Sequence, residues 1–77
     1  MPRYFFHIRR PDSELVPDEE GAEFEVYEAA KHEAVESVRD LTVDTIKRGS
    51  KVASLAVEIA DDDGKVLDTI KARELFD

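Results

Sequence analysis

Large apolar and polar side chains alternate over residues 4–9, which puts Tyr4, Phe6 and Ile8 on one face of a β-strand and Phe5, His7 and Arg9 on the other. Arg10-Pro11-Asp12-Ser13 reads as a turn, because proline presets φ and the Asp and Ser side chains can bond nearby backbone. Glu14-Leu15-Val16 predicts a short second strand, stopped by Pro17, which has no N–H to give a ladder. A short, charged, proline-ended strand suits the edge of a sheet. Asp18-Glu19-Glu20-Gly21 forms a loop before a helix. Residues 26–48 contain neither Gly nor Pro, and Ala30, Ala34, Val38, Leu41 and Thr45 recur at helical spacing as the buried stripe, flanked by Tyr27, Thr42 and Ile46. Phe24 is placed to staple against Ala29. Glu25 and Glu28 suit the positive end of the helix, Lys47 and Arg48 the negative end, and Gly49 closes it. Glu25 is a poor cap, so the first turn should fray.

Alternation returns over residues 52–60, with Leu55, Val57 and Ile59 on one face. Asp61-Asp62-Asp63-Gly64 marks a hairpin whose loop length decides the faces of the last strand. A four-residue loop puts Asp68 on the core face opposite Val57. A three-residue loop, with Gly64 in the left-handed bulge position, puts Leu67 and Thr69 there instead. Burying an unpaired aspartate is costly, so the three-residue loop is expected. The last strand is then residues 65–71, followed by a tail carrying Leu75 and Phe76.

These elements give an α+β fold, β-β-α-β-β, in one domain over residues 1–77. The sheet is four-stranded and antiparallel, with order 2-1-3-4 preferred to 2-1-4-3 and one long helix on one face. A helix of about 23 residues is roughly 35 Å long and outruns strands of roughly 20–24 Å. Its C-terminal end should overhang, with Leu75 and Phe76 placed to cover it. The second sheet face has no helix and is expected to show Phe5, His7, Ala56, Val66 and Ile70, a contact surface.

Composition sharpens this picture. A chain of 77 residues buries only about 60% of its unfolded surface. There is no cysteine to supply disulfides or thiolate metal ligands. Self-association is the remaining common reinforcement. Charged residues are 39% and the hydrophobic set 42%, polar for a globular domain but too apolar and periodic for a disordered one. The net charge of −8 is uneven: residues 11–36 hold ten acids and one base, Lys31, whereas residues 1–10 hold three arginines and no acid. Such a field opposes nucleic acid, and only the arginine-bearing first strand argues the other way. No apolar run is long enough to span a membrane and the start is unlike a signal peptide, so a cytoplasmic setting is expected.

Candidate chemistry is sparse. Glu28, His32 and Glu36 share a helical line, but His32-Glu33-Ala34-Val35-Glu36 departs from the zinc motif His-Glu-x-x-His at its second histidine. The Asp61-Asp62-Asp63-Gly64 stretch lacks the glutamate of a calcium loop, Ile70 standing in its place, and reads as a hairpin. His7, near Arg9 and Glu58, is the most suggestive titratable residue, yet no nucleophile accompanies it: Ser13, Ser37, Ser50 and Ser54 lack motif context. All three glycines are explained by turns, so there is no phosphate loop. Only Phe5 of the first-strand aromatics faces outward, which is thin for stacking nucleobases. Catalytic residues, metals and cofactors are accordingly expected to be none.

The opening Met1-Pro2-Arg3-Tyr4-Phe5-Phe6-His7-Ile8-Arg9, the Asp18-to-Gly21 loop, the alanine-bearing helix and the Asp63-Gly64 hairpin resemble a family of small bacterial proteins of unknown function. In that family an Asp or Ser often caps the helix, where Glu25 stands here. The resemblance implies a stand-alone cytoplasmic domain and brings no activity, cofactor or substrate. The expectation is a binding module, a homodimer joined through its open sheet face or an edge strand, with Phe5, His7, Val66 and Ile70 in contact and Arg9 at the rim. Histidine in such a contact makes association pH-sensitive. Two rivals stand beside it: a nucleic-acid-binding regulatory or antitoxin-like module using Arg3, Arg9 and Arg10, and a small enzyme using His7.

Overall fold

The computed structural model describes residues 1–10, 14–49 and 55–75. The expected turn at 11–13, the beginning of the third expected strand at 52–54, and Phe76 lie outside them. The alternating opening forms β1 (Arg3–Arg9), and Arg10 N–H donates to Glu14 O at 2.9 Å. Then come β2 (Leu15–Val16), β3 (Ala22–Glu23), the helix α1 (Tyr27–Lys47), β4 (Ala56–Ala60), β5 (Val66–Lys71) and a short helix α2 (Ala72–Leu75).

All strand pairs are antiparallel, along the path β2-β1-β4-β5, so the expected order holds for the four strands read from sequence. A fifth strand is additional. β3 pairs with the start of β1, Arg3 opposite Glu23 and Tyr4 opposite Ala22, whereas β2 pairs with its end, Ile8 opposite Val16. Two residues are too few to show an alternation, which is why this strand is silent in the sequence.

Helix α1 covers one face of the sheet. Ala30, Ala34, Val38 and Thr42 are its buried residues, packed over Tyr4, Leu55, Val57 and Ile59. Methyl side chains at 30 and 34 let the helix backbone come close to the strands. The buried line advances in steps of four and ends on Thr42, where the sequence suggested Leu41 and Thr45; i+4 rows slant across a helix axis, so the contact crosses the sheet obliquely. Thr42 Oγ1 donates to Val38 O at 2.7 Å and so is buried without an unmet donor. Val26, the N-cap residue, makes no side-chain cap bond. The expected Phe24–Ala29 staple is absent: Ala29 is exposed, and the Phe24 ring packs on Tyr4 and Phe6. At the other end Gly49, with φ +77°, donates to Ile46 O and turns the chain. The helix leaves Val43 and Ile46 exposed, while Leu75 of α2 packs against the core.

The β4–β5 hairpin corrects one expectation. Its loop is the three-residue one, closed by Asp61 N–H to Lys65 O, with Gly64 at φ +83°. A second irregularity follows at once. Ala60 pairs with Val66 but Ile59 pairs with Asp68, so Leu67 is an extra residue outside the ladder. From there on every side chain of β5 changes face. Ile70 points under the helix opposite Val57 and is 8% exposed, and Asp68, not Leu67 or Thr69, takes a core-facing position. The reason for expecting otherwise was an unpaired aspartate, and this one is paired. Asp68 accepts from Tyr27 Oη at 3.1 Å and from the Thr69 amide at 2.8 Å, and meets Lys31 Nζ at 3.3 Å.

Candidate functional site

Cross-strand pairing arranges the face away from α1 in three rows: Phe5–Ala60–Val66, His7–Glu58–Thr69 and Arg9–Ala56–Lys71. Residues directly opposite in a ladder share a face, so the rows follow from register. The first row is the apolar end. Phe5 and His7, two apart on β1, stack with ring centroids 6.5 Å apart and planes at 16°. Ala60 is buried beside them and Val66 is 47% exposed. Phe5, His7, Arg9 and Val66 therefore share the open face, and Ile70 does not, because the Leu67 bulge turns it inward.

Part of this face is covered by the chain itself. Residues 17–21 bow out between β2 and β3, and Asp18 bridges the gap they leave. Its Oδ2 accepts from Phe6 N–H at 3.1 Å, replacing a missing strand partner. Its Oδ1 accepts from the amides of Glu20 and Gly21 at 3.2 and 3.1 Å, an Asx-type turn. Burial on its own would raise the Asp18 pKa, but the Phe6, Gly21 and Glu20 amides and nearby His7 together lower it below 3.8. Gly21 has φ +66°, and a Cβ there would lie 2.8 Å from both the Phe5 ring and Tyr4 O, so glycine is required.

The same loop ties down His7. Asp18 N–H donates to His7 Nδ1 at 2.9 Å, which places the proton of the neutral imidazole on Nε2. His7 sits directly opposite Glu58, with Thr69 on the far side of that residue. Two strand spacings put Thr69 about 10 Å from His7, beyond hydrogen-bond reach. The row therefore brings a base candidate and a carboxylate together with no nucleophile beside the base.

The third row is polar. Arg9 Nη2 meets Glu58 Oε2 at 3.2 Å, a diagonal pair. Arg3 similarly pairs with Glu23 at 3.0 Å and donates to Glu20 O at 2.7 Å. Lys71 and Arg73 complete a cationic end with Arg9; neither stood out in the sequence, because their convergence depends on register and on α2. Among the described residues, the groups close enough together to ligate an ion are Asp61, Asp62 and Asp63. Asp61 Oδ1 there accepts from the amides of Asp63 and Lys65 at 3.0 and 2.9 Å, as hairpin geometry requires. Glu36 of the helical acid line pairs with Arg39 instead of His32.

The family model of a domain of unknown function, DUF6894, matches residues 3–73. The chain belongs to this family. No curated protein and no solved structure matches it. The match runs from the first residue of β1 into α2, so DUF6894 takes in the whole open face with both its apolar and cationic ends. No helix among the described residues is long and apolar enough to cross a membrane.

Proposed function

We propose that this DUF6894 chain acts as one unit, a non-enzymatic interaction module that self-associates as a homodimer through the open face of its sheet. The observation that carries this reading is Val66, nearly half exposed, beside Ala60 and the Phe5–His7 stack on a face that has no helix. Phe5, His7 and Val66 form the contact, with Arg9 toward its rim.

The face is a better contact than the sheet edges. β5 is guarded by the Leu67 bulge, by inward-turned Asp68 and by flanking Lys65 and Lys71, devices that keep edge strands from pairing. Beyond β1, among the described residues, lie the two-residue strands β2 and β3, with Pro17 between them. Arg3 and Arg9 each engage a carboxylate, which weakens the nucleic-acid reading, and no nucleophile among the described residues stands beside His7, which weakens the enzymatic one. A cytoplasmic, bacterial setting accords with the absence of cysteine and with the opening motif.

Sedimentation velocity over a range of concentrations tests the dimer. Val66→Asp, at a half-exposed position, keeps the fold and shifts the protein to monomer, raising the dimer dissociation constant by about tenfold or more. Wild-type protein that stays monomeric at high micromolar concentration overturns the proposal, as does a dimer indifferent to Val66→Asp.

A further inference from the structure

The cationic end of the open face holds an open basin of about 300 Å³, lined by Arg9, Leu55, Ala56, Glu58, Thr69, Lys71 and Arg73. Its shape follows from register. Ala56 stands in the middle strand between the much longer Arg9 and Lys71, so its methyl group forms a sunken floor. Arg73 reaches the same space from α2, two residues beyond the end of the row.

Charge is the second observation. The basin gathers three cations, and its one carboxylate, Glu58, is engaged by Arg9. The Lys71 and Arg73 side chains have no hydrogen bond or ion pair among the described residues. In a chain of net charge −8, acids are plentiful, yet Glu58 is the one acid among the described residues that lines this space. Like charges gathered around a concave surface repel one another and focus their field into it, and an anion seated there relieves both.

We propose that this basin binds a small molecule through one phosphate or carboxylate group. Arg73 presents a planar fork suited to two anionic oxygens, Lys71 a compact ammonium and Thr69 a hydroxyl donor. A basin of this volume lies at the small end of ligand pockets. Single-stranded nucleic acid needs a longer positive track with stacking aromatics, and a field of −8 opposes a polyanion more than a single group. The basin row lies four residues along β4 from the Val66 row, about 13 Å away, and Arg9 is the residue it shares with the rim of the proposed dimer contact.

Titration of the ¹⁵N-labelled chain with inorganic phosphate, at about pH 8, tests the proposal. Ionic strength is held constant with chloride. Saturable amide shifts should concentrate at Ala56, Glu58, Thr69, Lys71 and Arg73. Lys71→Gln and Arg73→Gln, both at exposed positions, should each weaken phosphate about tenfold. Absence of saturation up to about 50 mM overturns the proposal. So does binding indifferent to either substitution, or tighter binding of a single-stranded oligonucleotide at the same residues.

Discussion

Asp68 faces the helix with a phenol, an ammonium and a backbone amide around it, and it shows how one residue's partners decide a local conformation. Burial would raise its pKa, but the Thr69 amide, the Tyr27 hydroxyl and Lys31 outweigh it and hold the carboxyl below 3.8. Tyr27 is shifted by burial first and then by its bond to Asp68, up to about 12. The pH consequences have opposite windows. Because the folded pKa of Asp68 is depressed, its stabilising contribution is fully present above 3.8 and is lost as pH falls through the lower folded value. Because that of Tyr27 is raised, its contribution is present below 10.0 and is lost as pH climbs to about 12. Urea denaturation of Tyr27→Phe near neutral pH should show a loss of about 1 kcal/mol. That deficit should vanish above the alkaline window, and the deficit of Asp68→Asn should shrink in acid. None of this pairing was legible beforehand: Tyr27 and Asp68 are 41 residues apart, and only the fold makes them neighbours.

At the level of elements, β5 is the strand whose sequence reads ambiguously. Its two registers bury either Leu67 and Thr69 or Asp68 and Ile70, and each offers the core one polar side chain. Thr69 is the milder of the two polar groups, so sequence reasoning favours it. The structure takes the other register, because Ile70 fills space opposite Val57 and α1 supplies Tyr27 and Lys31 to Asp68. The Leu67 bulge reconciles the three-residue loop with that choice. Ile70→Asp should therefore be far more damaging than Val66→Asp, costing about 3 kcal/mol or more, a large share of a small domain's stability. Thermal melts of the two variants side by side check this, and equal losses would contradict the facing assigned to β5. Helix α1, in contrast, was legible from its unbroken apolar spacing; only the slant of its buried line and the loss of the Phe24 staple depended on what it packs against.

For the molecule as a whole, one long helix on one side of the sheet leaves the other side, among the described residues, to loops and solvent. The Cα extents of 38 × 21 × 16 Å describe a thin slab, elongated by α1. Its charge bears on both proposals in opposite senses. Two protomers of net charge −8 repel each other, so added salt should favour a contact made by Phe5, His7 and Val66. The same salt should weaken an anion held by Arg9, Lys71 and Arg73. Sedimentation in sodium chloride from about 50 to 500 mM should show the dimer fraction rising. A fall in that fraction would point to a contact built on ion pairs instead.

The pattern of side chains along the chain determined the elements: the β1 alternation, the span of α1, the three-residue hairpin loop and the antiparallel order of the principal strands. These depend on local periodicity and turn chemistry, which act between residues close in sequence. Tertiary structure alone decided the Leu67 bulge, the inward turn of Ile70, the Asp18 bridge to Phe6 and His7, and the gathering of Arg9, Lys71 and Arg73 around Ala56. Each of these depends on contacts between elements remote in sequence, where a partner's hydrogen bond or charge outweighs the preference of the residue taken by itself.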